Sequence, residues 1–446
     1  MDGGAELTGG VSGVNAKAIM VGAGDFARLE ELGRLADTLG MEVVGSLYQG
    51  RRDGSGYLGR GKRWELGELV SGLGAGFVVT DDELTASQAR VLERDAGTTV
   101  VDRTELIIRI FEAHARDRAS RLEVELADLA YRLPRIKGRN EALSRLGGSV
   151  GGGRIARGPG EQQLEYDRRA IRERMETINA RLKDEKAARK VRGSRRKKGG
   201  TPSVALLGYT NAGKTTILNA LTGAGRSTAD RLFETLETTT RLVEGVPSNN
   251  HDDTTDNTNN GGEDVAGSAR PDFVVTDTVG FISKLPTQLV RSFEGTLEEA
   301  GDADVLVVCA DASSLDLGTE IRTVNETLER TLGTPGNDGA TRILCLNKID
   351  LLAGSRLKGL AMDYPGAVSI SAIEGDLYPL LDAIYDSISS GWERMEILIP
   401  HSEYGASSGL YGSAQIHASR DTTSGLWLDV TLPRSSAARY SRYRAS

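Results

Sequence analysis

The sequence predicts an α/β protein in four parts. These are a small N-terminal α/β domain, a long antiparallel helical hairpin, a larger domain on a doubly wound, mostly parallel sheet, and a small C-terminal α+β domain. Three observations predict this. Short apolar runs alternate with helical patterns over residues 16–104 and again over 203–390, as parallel strands joined by crossover helices do. Between them, apolar residues recur at helical spacing over long stretches. After them, alternating strand-like runs close the chain. The boundaries read as 1–104, 105–198, 201–390 and 391–446.

In the first part, "KAIMVGAG", "MEVVGSLYQG", "GAGFVVTDD" and "TTVVDRTEL" read as strands, and "DFARLEELGRLADTLG" and "TASQARVLERDAG" as helices. In the second, Leu122, Leu126, Leu129 and Leu133 form one stripe, and Leu164, Ile171, Met175, Ile178 and Leu182 another. The break between them, "GGSVGGGRIARGPG", is too glycine-rich for a helix. Two helices joined by such a tip form an antiparallel hairpin. The tip carries Arg154 and Arg157. Guanidinium forks among exposed N–H groups suit an RNA backbone, and a solvated turn explains them equally. "KAARKVRGSRRKKGG" is a basic run that reads as a solvated helix end with linker or as an RNA-facing patch.

The third part holds a polar, low-complexity insertion at 248–268, expected to be a disordered hairpin loop. The fourth has "MEILIPH", "SAQIHAS" and "GLWLDVTLP" as strands and a frayed, basic end, "SSAARYSRYRAS".

Composition narrows the function classes. The 446 residues, 39% hydrophobic, support real cores, and no apolar run spans a membrane. The N-terminus has neither a basic nor an apolar leader region, so no signal peptide is expected. Cys309 and Cys345 lie in apolar runs and read as buried free thiols, and the four histidines are scattered. No disulfide framework or zinc cluster follows. A cytoplasmic protein is expected. The net charge of −8 hides a basic concentration between Arg132 and Lys198, where contact with nucleic acid is expected if it occurs.

The chemistry lies in the third part. "GYTNAGKT", from Gly208 to Thr215, fits G-x-x-x-x-G-K-[ST] between a strand and a helix. Its backbone wraps phosphate, Lys214 reaches the β- and γ-phosphates, and the Thr215 hydroxyl binds Mg²⁺. "DTVG" follows a strand, so Asp277 is expected to hold Mg²⁺ through water and the Gly280 N–H to face the γ-phosphate. "NKID" ends with Asp350, whose carboxylate accepts two hydrogen bonds from guanine that adenine lacks. "SISA" brings Ser371 and Ala372 over the base. Four motifs in this order predict a P-loop GTPase domain. Its nucleotide residues are Gly208, Tyr209, Thr210, Asn211, Ala212, Gly213, Lys214 and Thr215, then Asp277, Thr278, Val279 and Gly280, then Asn347, Lys348, Ile349 and Asp350, then Ser371 and Ala372. Switch I falls in "ADRLFETLETTTRLVEG", where spacing leaves Thr235, Thr238, Thr239 and Thr240 open as the Mg²⁺-binding threonine.

These residues resemble the HflX-type GTPases, a family of ribosome-associated translational GTPases. The likeness covers nearly the whole chain. "RIARGPGEQQLEYDRR", "YLGRGKRWEL", "DDELTASQARVLE", "VVDRTELIIRIFEAHA" and "LEVELADLAYRLPRI" resemble its hairpin and N-terminal signatures. "LFETLETTTR" resembles its switch I, usually L-F-A-T-L-D-P-T-T-R, with Glu237-Thr238 in place of Asp-Pro and a long loop in place of a short turn. The resemblance implies Thr235 as the Mg²⁺ ligand, with Thr239 second, and puts Phe233, Glu234, Thr235, Leu236 and Glu237 on the nucleotide. It thus implies Lys214, Thr235 and Gly280 as the catalytic set and Thr215 and Thr235 as metal ligands. It further implies GTP and GDP as ligands and the large ribosomal subunit with its rRNA as partner. The N-terminal and helical parts would dock on rRNA, with the tip near the peptidyl transferase region. Some members split stalled or idle ribosomes. A monomer is expected.

Phe281 follows "DTVG" where small GTPases place a glutamine that orients water. Slow intrinsic hydrolysis with an external accelerator is expected. Asn211 sits where several GTPases without that glutamine use Asn to hold K⁺ against the phosphates. K⁺ activation and simple loop capping are both open. The competing functions are an ATP-driven RNA remodeller, with "GRGKRWE" as an extra nucleotide site, and a GTP-dependent scaffold with little hydrolysis.

Overall fold

The computed structural model describes residues 16–24, 26, 28–115, 117–136, 159–198, 201–223, 239–245, 270–278, 280–282, 300–332, 340–411 and 414–445. The predicted switch I residues Phe233, Glu234, Thr235, Leu236 and Glu237 lie outside these. So do the insertion at 248–268, Val279, and the tip with Arg154 and Arg157. The chain divides into two compact units, one containing residues 1–186 and the other the rest of the described chain.

In the first unit, β1 (Ala16–Ala23), β2 (Met41–Gln49), β3 (Phe77–Thr80) and β4 (Thr99–Asp102) form a parallel sheet in the order β2-β1-β3-β4. Parallel neighbours need crossovers. These are α1 (Arg28–Thr38), α2 (Arg60–Leu73) and α3 (Ala86–Ala96), and α4 (Arg103–His114) follows β4. Ile19, Val21 and Val78 of the sheet pack with Leu66 of α2 and Leu92 of α3. The strand reading of "TTVVDRTEL" ran too far. The strand ends at Asp102, whose side chain accepts a hydrogen bond from the Glu105 N–H at 2.9 Å and starts α4 there. Helix α2 was absent from the sequence reading because Gly61, Gly67 and Gly72 weaken its helical signal. Gly67 serves packing. A Cβ there would stand 2.8 Å from the Asp95 carbonyl oxygen of α3.

A buried ion network sits at the strand ends of this sheet. Arg103, 2% exposed, donates to Asp81 at 2.7 Å and to Glu31 of α1 at 2.6 Å.

Helix α5 (Arg118–Arg135) is capped by Asp117, and α6 (Pro159–Lys198) follows it among the described residues. On α5 the buried line runs through Ser120, Glu123, Ala127 and Tyr131, while Leu126, Leu129 and Leu133 of the predicted stripe are only half-buried. On α6, Ile178 is fully buried at the middle of its predicted stripe. Arg174 of α6 forks onto Glu125 of α5 at 2.6 and 2.8 Å.

In the second unit, β5 (Ser203–Gly208), β6 (Thr239–Val243), β7 (Phe273–Asp277), β8 (Val305–Asp311), β9 (Thr341–Asn347) and β10 (Val368–Ser369) form a six-stranded sheet. Its order is β10-β9-β8-β5-β7-β6, with every pair parallel except β6 with β7. Helices α7 (Lys214–Thr222), α8 (Leu317–Leu332), α9 (Gly354–Asp363) and α10 (Tyr378–Ser389) accompany it. Ile217 of α7 and Leu380 and Ile384 of α10 pack on one set of strand residues, and Val324 and Leu328 of α8 on another. Strands covered on both faces read as unbroken apolar runs, as "VLVVCA" of β8 does. Cys309 and Cys345 oppose one another on β8 and β9 as buried free thiols.

The chain closes with β11 (Trp392–Pro400), β12 (Gln415–Thr422) and β13 (Gly425–Pro433), antiparallel in the order β11-β13-β12, and α11 (Arg434–Tyr440). The end predicted to fray is folded. Tyr440 and Tyr443 are buried, Tyr440 donates to the Ala406 carbonyl at 3.2 Å, and the Ala445 N–H to the Glu396 carbonyl at 2.9 Å. Its two tyrosines supply apolar area that the basic composition masked. Among the described residues, no helix is long and apolar enough to cross a membrane.

Candidate nucleotide site

The predicted motifs follow the carboxyl ends of β5, β7, β9 and β10, where ligands bind in open α/β sheets. The P-loop leaves β5 at Gly208, whose φ is +151°. A Cβ there would stand 2.1 Å from the Cys309 carbonyl oxygen, so only glycine fits. Asn211 holds φ +64°, a left-handed conformation that Asn tolerates better than most residues. Lys214 opens α7, and its ammonium donates to the carbonyls of Gly208 at 3.1 Å and Tyr209 at 2.9 Å. Burial lowers its pKa, and the nearby Asp277 opposes that shift.

The Thr215 hydroxyl donates to Asp277 Oδ2 at 2.8 Å. Both supply hard oxygen ligands next to the phosphate loop, the donor set that Mg²⁺ takes. Thr278 fastens the following turn by donating to the Leu206 carbonyl at 2.7 Å. Of the open switch I candidates, Thr239 and Thr240 belong to β6, Thr239 opposite Asp277 in register. Thr238 lies outside the described residues with Thr235.

Phe281 is 4% exposed and packs with Leu207, Leu306, Val308 and Leu328. Its backbone bridges to the P-loop at Tyr209. The side chain therefore belongs to the core, and the main chain belongs to the site.

On the base side, Asn347 ties two loops together. Its Nδ2 donates to the Ala212 carbonyl at 3.0 Å, and its Oδ1 accepts from the Ala372 N–H at 3.1 Å. Ser371 donates to Asp350 Oδ1 at 2.7 Å, leaving the Asp350 carboxylate exposed toward solvent. The Ile349 N–H bonds the Ile370 carbonyl at 3.3 Å. Lys348 has φ +66°, and its ammonium pairs with Asp311 Oδ2 at 2.8 Å. Sequence reasoning passed over Asp311. Its signal was a lone carboxylate closing the apolar run of β8.

Residues 27–112 match the model of a GTP-binding GTPase N-terminal region, 114–196 that of a GTP-binding GTPase middle region, and 203–348 that of a 50S ribosome-binding GTPase. The chain is 43% identical to the GTPase HflX of Caldanaerobacter subterraneus subsp. tengcongensis over 75% of its length and 72% of that protein. It is 33% identical to the GTPase HflX of Gluconacetobacter diazotrophicus over 94% of each chain. With the GTPase HflX of Escherichia coli it shares 34% identity over 85% of its length and 83% of that protein. The chain belongs to the HflX family of GTPases. As an HflX-family member it is a hydrolase acting on GTP.

Proposed function

We propose that the chain hydrolyses GTP slowly by itself and faster on the large ribosomal subunit, whose rRNA it contacts. The outcome would be splitting or rescue of stalled or idle ribosomes. The observation that carries this is the match of residues 203–348 to a 50S ribosome-binding GTPase, over a site in which Asn347 joins the phosphate loop to the base loop. The basic tip residues Arg154 and Arg157 and the basic end of α6 support the rRNA contact by charge. The four-domain division at 104, 198 and 390, a monomeric state and a cytoplasmic location belong to the same reading.

In the site, the P-loop amides and Lys214 would bind the phosphates. Thr215, with Thr235 of switch I, would hold Mg²⁺, and Asp277 would hold it through water. Bound there, Mg²⁺ neutralises charge on the β- and γ-phosphates. Gly280 would present its N–H to the γ-phosphate, Asp350 would accept from guanine, and Ser371 and Ala372 would close over the base. Asn211 would hold K⁺ beside the leaving group, which equal turnover in K⁺ and Na⁺ buffers would refute. Burial of Phe281 favours one second reading, a GTP-dependent scaffold with little hydrolysis. Turnover measured with and without large subunits separates the two. Acceleration supports the ribosome-driven hydrolase, and unchanged turnover supports the scaffold.

A further inference from the structure

Among the described residues, three that are not glycine hold a left-handed backbone: Tyr57, Asn211 and Lys348. Asparagine tolerates that conformation, while lysine pays for it in contact between its Cβ and the following carbonyl. Such strain persists only where the surroundings impose it, and it gathers at functional sites. Lys348 has φ +66° and ψ +35°. It follows Asn347, which bonds the Ala212 carbonyl and the Ala372 N–H, and stands two residues before Asp350, which accepts from the Ser371 hydroxyl at 2.7 Å. The path of the chain from Asn347 to Asp350 therefore runs through this one strained residue.

Asp311 grips that residue from another strand. Its Oδ2 lies 2.8 Å from the Lys348 ammonium, and each side chain is only 18% exposed. Its Oδ1 accepts from the Ser313 N–H at 2.9 Å and from the Ser313 hydroxyl at 2.6 Å. Asp311 also lies opposite Asn347 in the β8–β9 register, and the Ala312 N–H donates to the Asn347 carbonyl at 2.9 Å. The carboxylate is thus anchored to the end of β8 before it meets the lysine. An ion pair with one partner already fixed gives up less side-chain entropy, and partial burial shields it from salt.

We infer that Asp311 is a positioning residue for guanine-nucleotide binding: through Lys348 it holds the turn from Asn347 to Asp350 in the left-handed conformation that brings Asp350 to Ser371. The inference rests on the reading of Asp350 as the acceptor for guanine. Asp311 acts on the base loop and has no part in the chemistry at the phosphates. Its loss should therefore appear in how long nucleotide stays bound, and not in turnover once the site is full.

Two substitutions break the pair from opposite sides. Asp311→Asn keeps an oxygen for Ser313 and sets an amide NH₂ against the Lys348 ammonium. Lys348→Met keeps the apolar stem and removes the charge. Stopped-flow release of a fluorescent GDP should be roughly 10-fold faster in D311N, while kcat at saturating GTP stays within about twofold of the wild type. K348M should also release GDP faster. The double variant D311N/K348M should release it no faster than K348M alone, because both changes remove one interaction. Unchanged release in D311N, a fall in kcat in place of faster release, or losses that add in the double variant would each overturn the inference, the last by assigning Asp311 to the fold of β8. Should D311N not fold, K348M still decides, since unchanged GDP release there overturns the inference. A wild-type chain that binds ADP as tightly as GDP would overturn the reading of Asp350 instead, so the two failures are separable.

Discussion

The N–H of Thr210 donates to the carbonyl of Phe281 at 2.7 Å, and the N–H of Phe281 donates to the carbonyl of Gly208 at 3.0 Å. The phosphate loop and the segment that follows "DTVG" are thus joined by main chain, with the Phe281 ring buried beneath the join. Phe281→Gln should therefore not yield a fast enzyme. Placing an amide in that cluster should lower stability by about 3 kcal/mol. Denaturant midpoints and GTP turnover check both parts, and a large gain in turnover would show that a missing amide was the whole deficit.

Asn347 is 2% exposed and satisfies groups on two loops. Asn347→Ala leaves the Ala212 carbonyl and the Ala372 N–H unpaired. The expected loss is about 2 kcal/mol, roughly 30-fold in GTP affinity. Titration with a fluorescent GTP analogue measures it, and unchanged affinity would remove Asn347 from the site.

Asp350 keeps an exposed carboxylate oriented by Ser371. Asp350→Asn replaces an acceptor by a mixed donor and acceptor. GTP should lose its advantage by roughly 100-fold, while XTP, which carries a carbonyl where guanine has its amine, should gain. Retained preference for GTP in competition binding would refute the role.

Arg103 is buried between Asp81 and Glu31. Arg103→Met leaves two carboxylates without that partner, one of them nearly inaccessible, and should destabilise the N-terminal unit by about 3–5 kcal/mol. Native-state hydrogen exchange over β1 to β4 reads this, and unaltered protection there would show the network to be dispensable.

Asp429 is hydrogen-bonded by Arg394 at 3.0 and 2.6 Å, which holds its carboxyl below the usual carboxylate range. The folded value is lower than the unfolded one. The stabilisation is therefore full at neutral pH and is lost as pH falls through the folded value, below about pH 4. The stability gap between the wild type and Asp429→Asn should shrink over that window. A gap independent of pH would show that the ion pair contributes nothing.

The nucleotide motifs were legible because each is a short local pattern set by a strand end: "GYTNAGKT" after β5, "DTVG" after β7, "NKID" after β9. Chemistry that needs a backbone turn and one side chain is written within a few consecutive residues. Alternating periodicity likewise determined the α/β class and both parallel sheets, because strands covered on both faces must be apolar throughout. Helix α2 was hidden because its three glycines weaken the helical signal, and one of them, Gly67, answers to the close approach of α3. On α5 the pattern showed a leucine stripe, of which Leu122 is buried and Leu126, Leu129 and Leu133 are half-buried, while Glu123 and Tyr131 are buried beside Leu122, because a helix face is chosen by its neighbours as well as by its own composition. The tail predicted to fray is folded for the same reason, its tyrosines finding cover only once β11 to β13 are assembled. Sequence by itself determined which nucleotide chemistry the chain carries. Only tertiary structure decided that Phe281 faces the core, that Asp311 holds Lys348, and that the Thr210 methyl closes on Gly280, since contacts between segments far apart in the chain leave no periodic trace in either one.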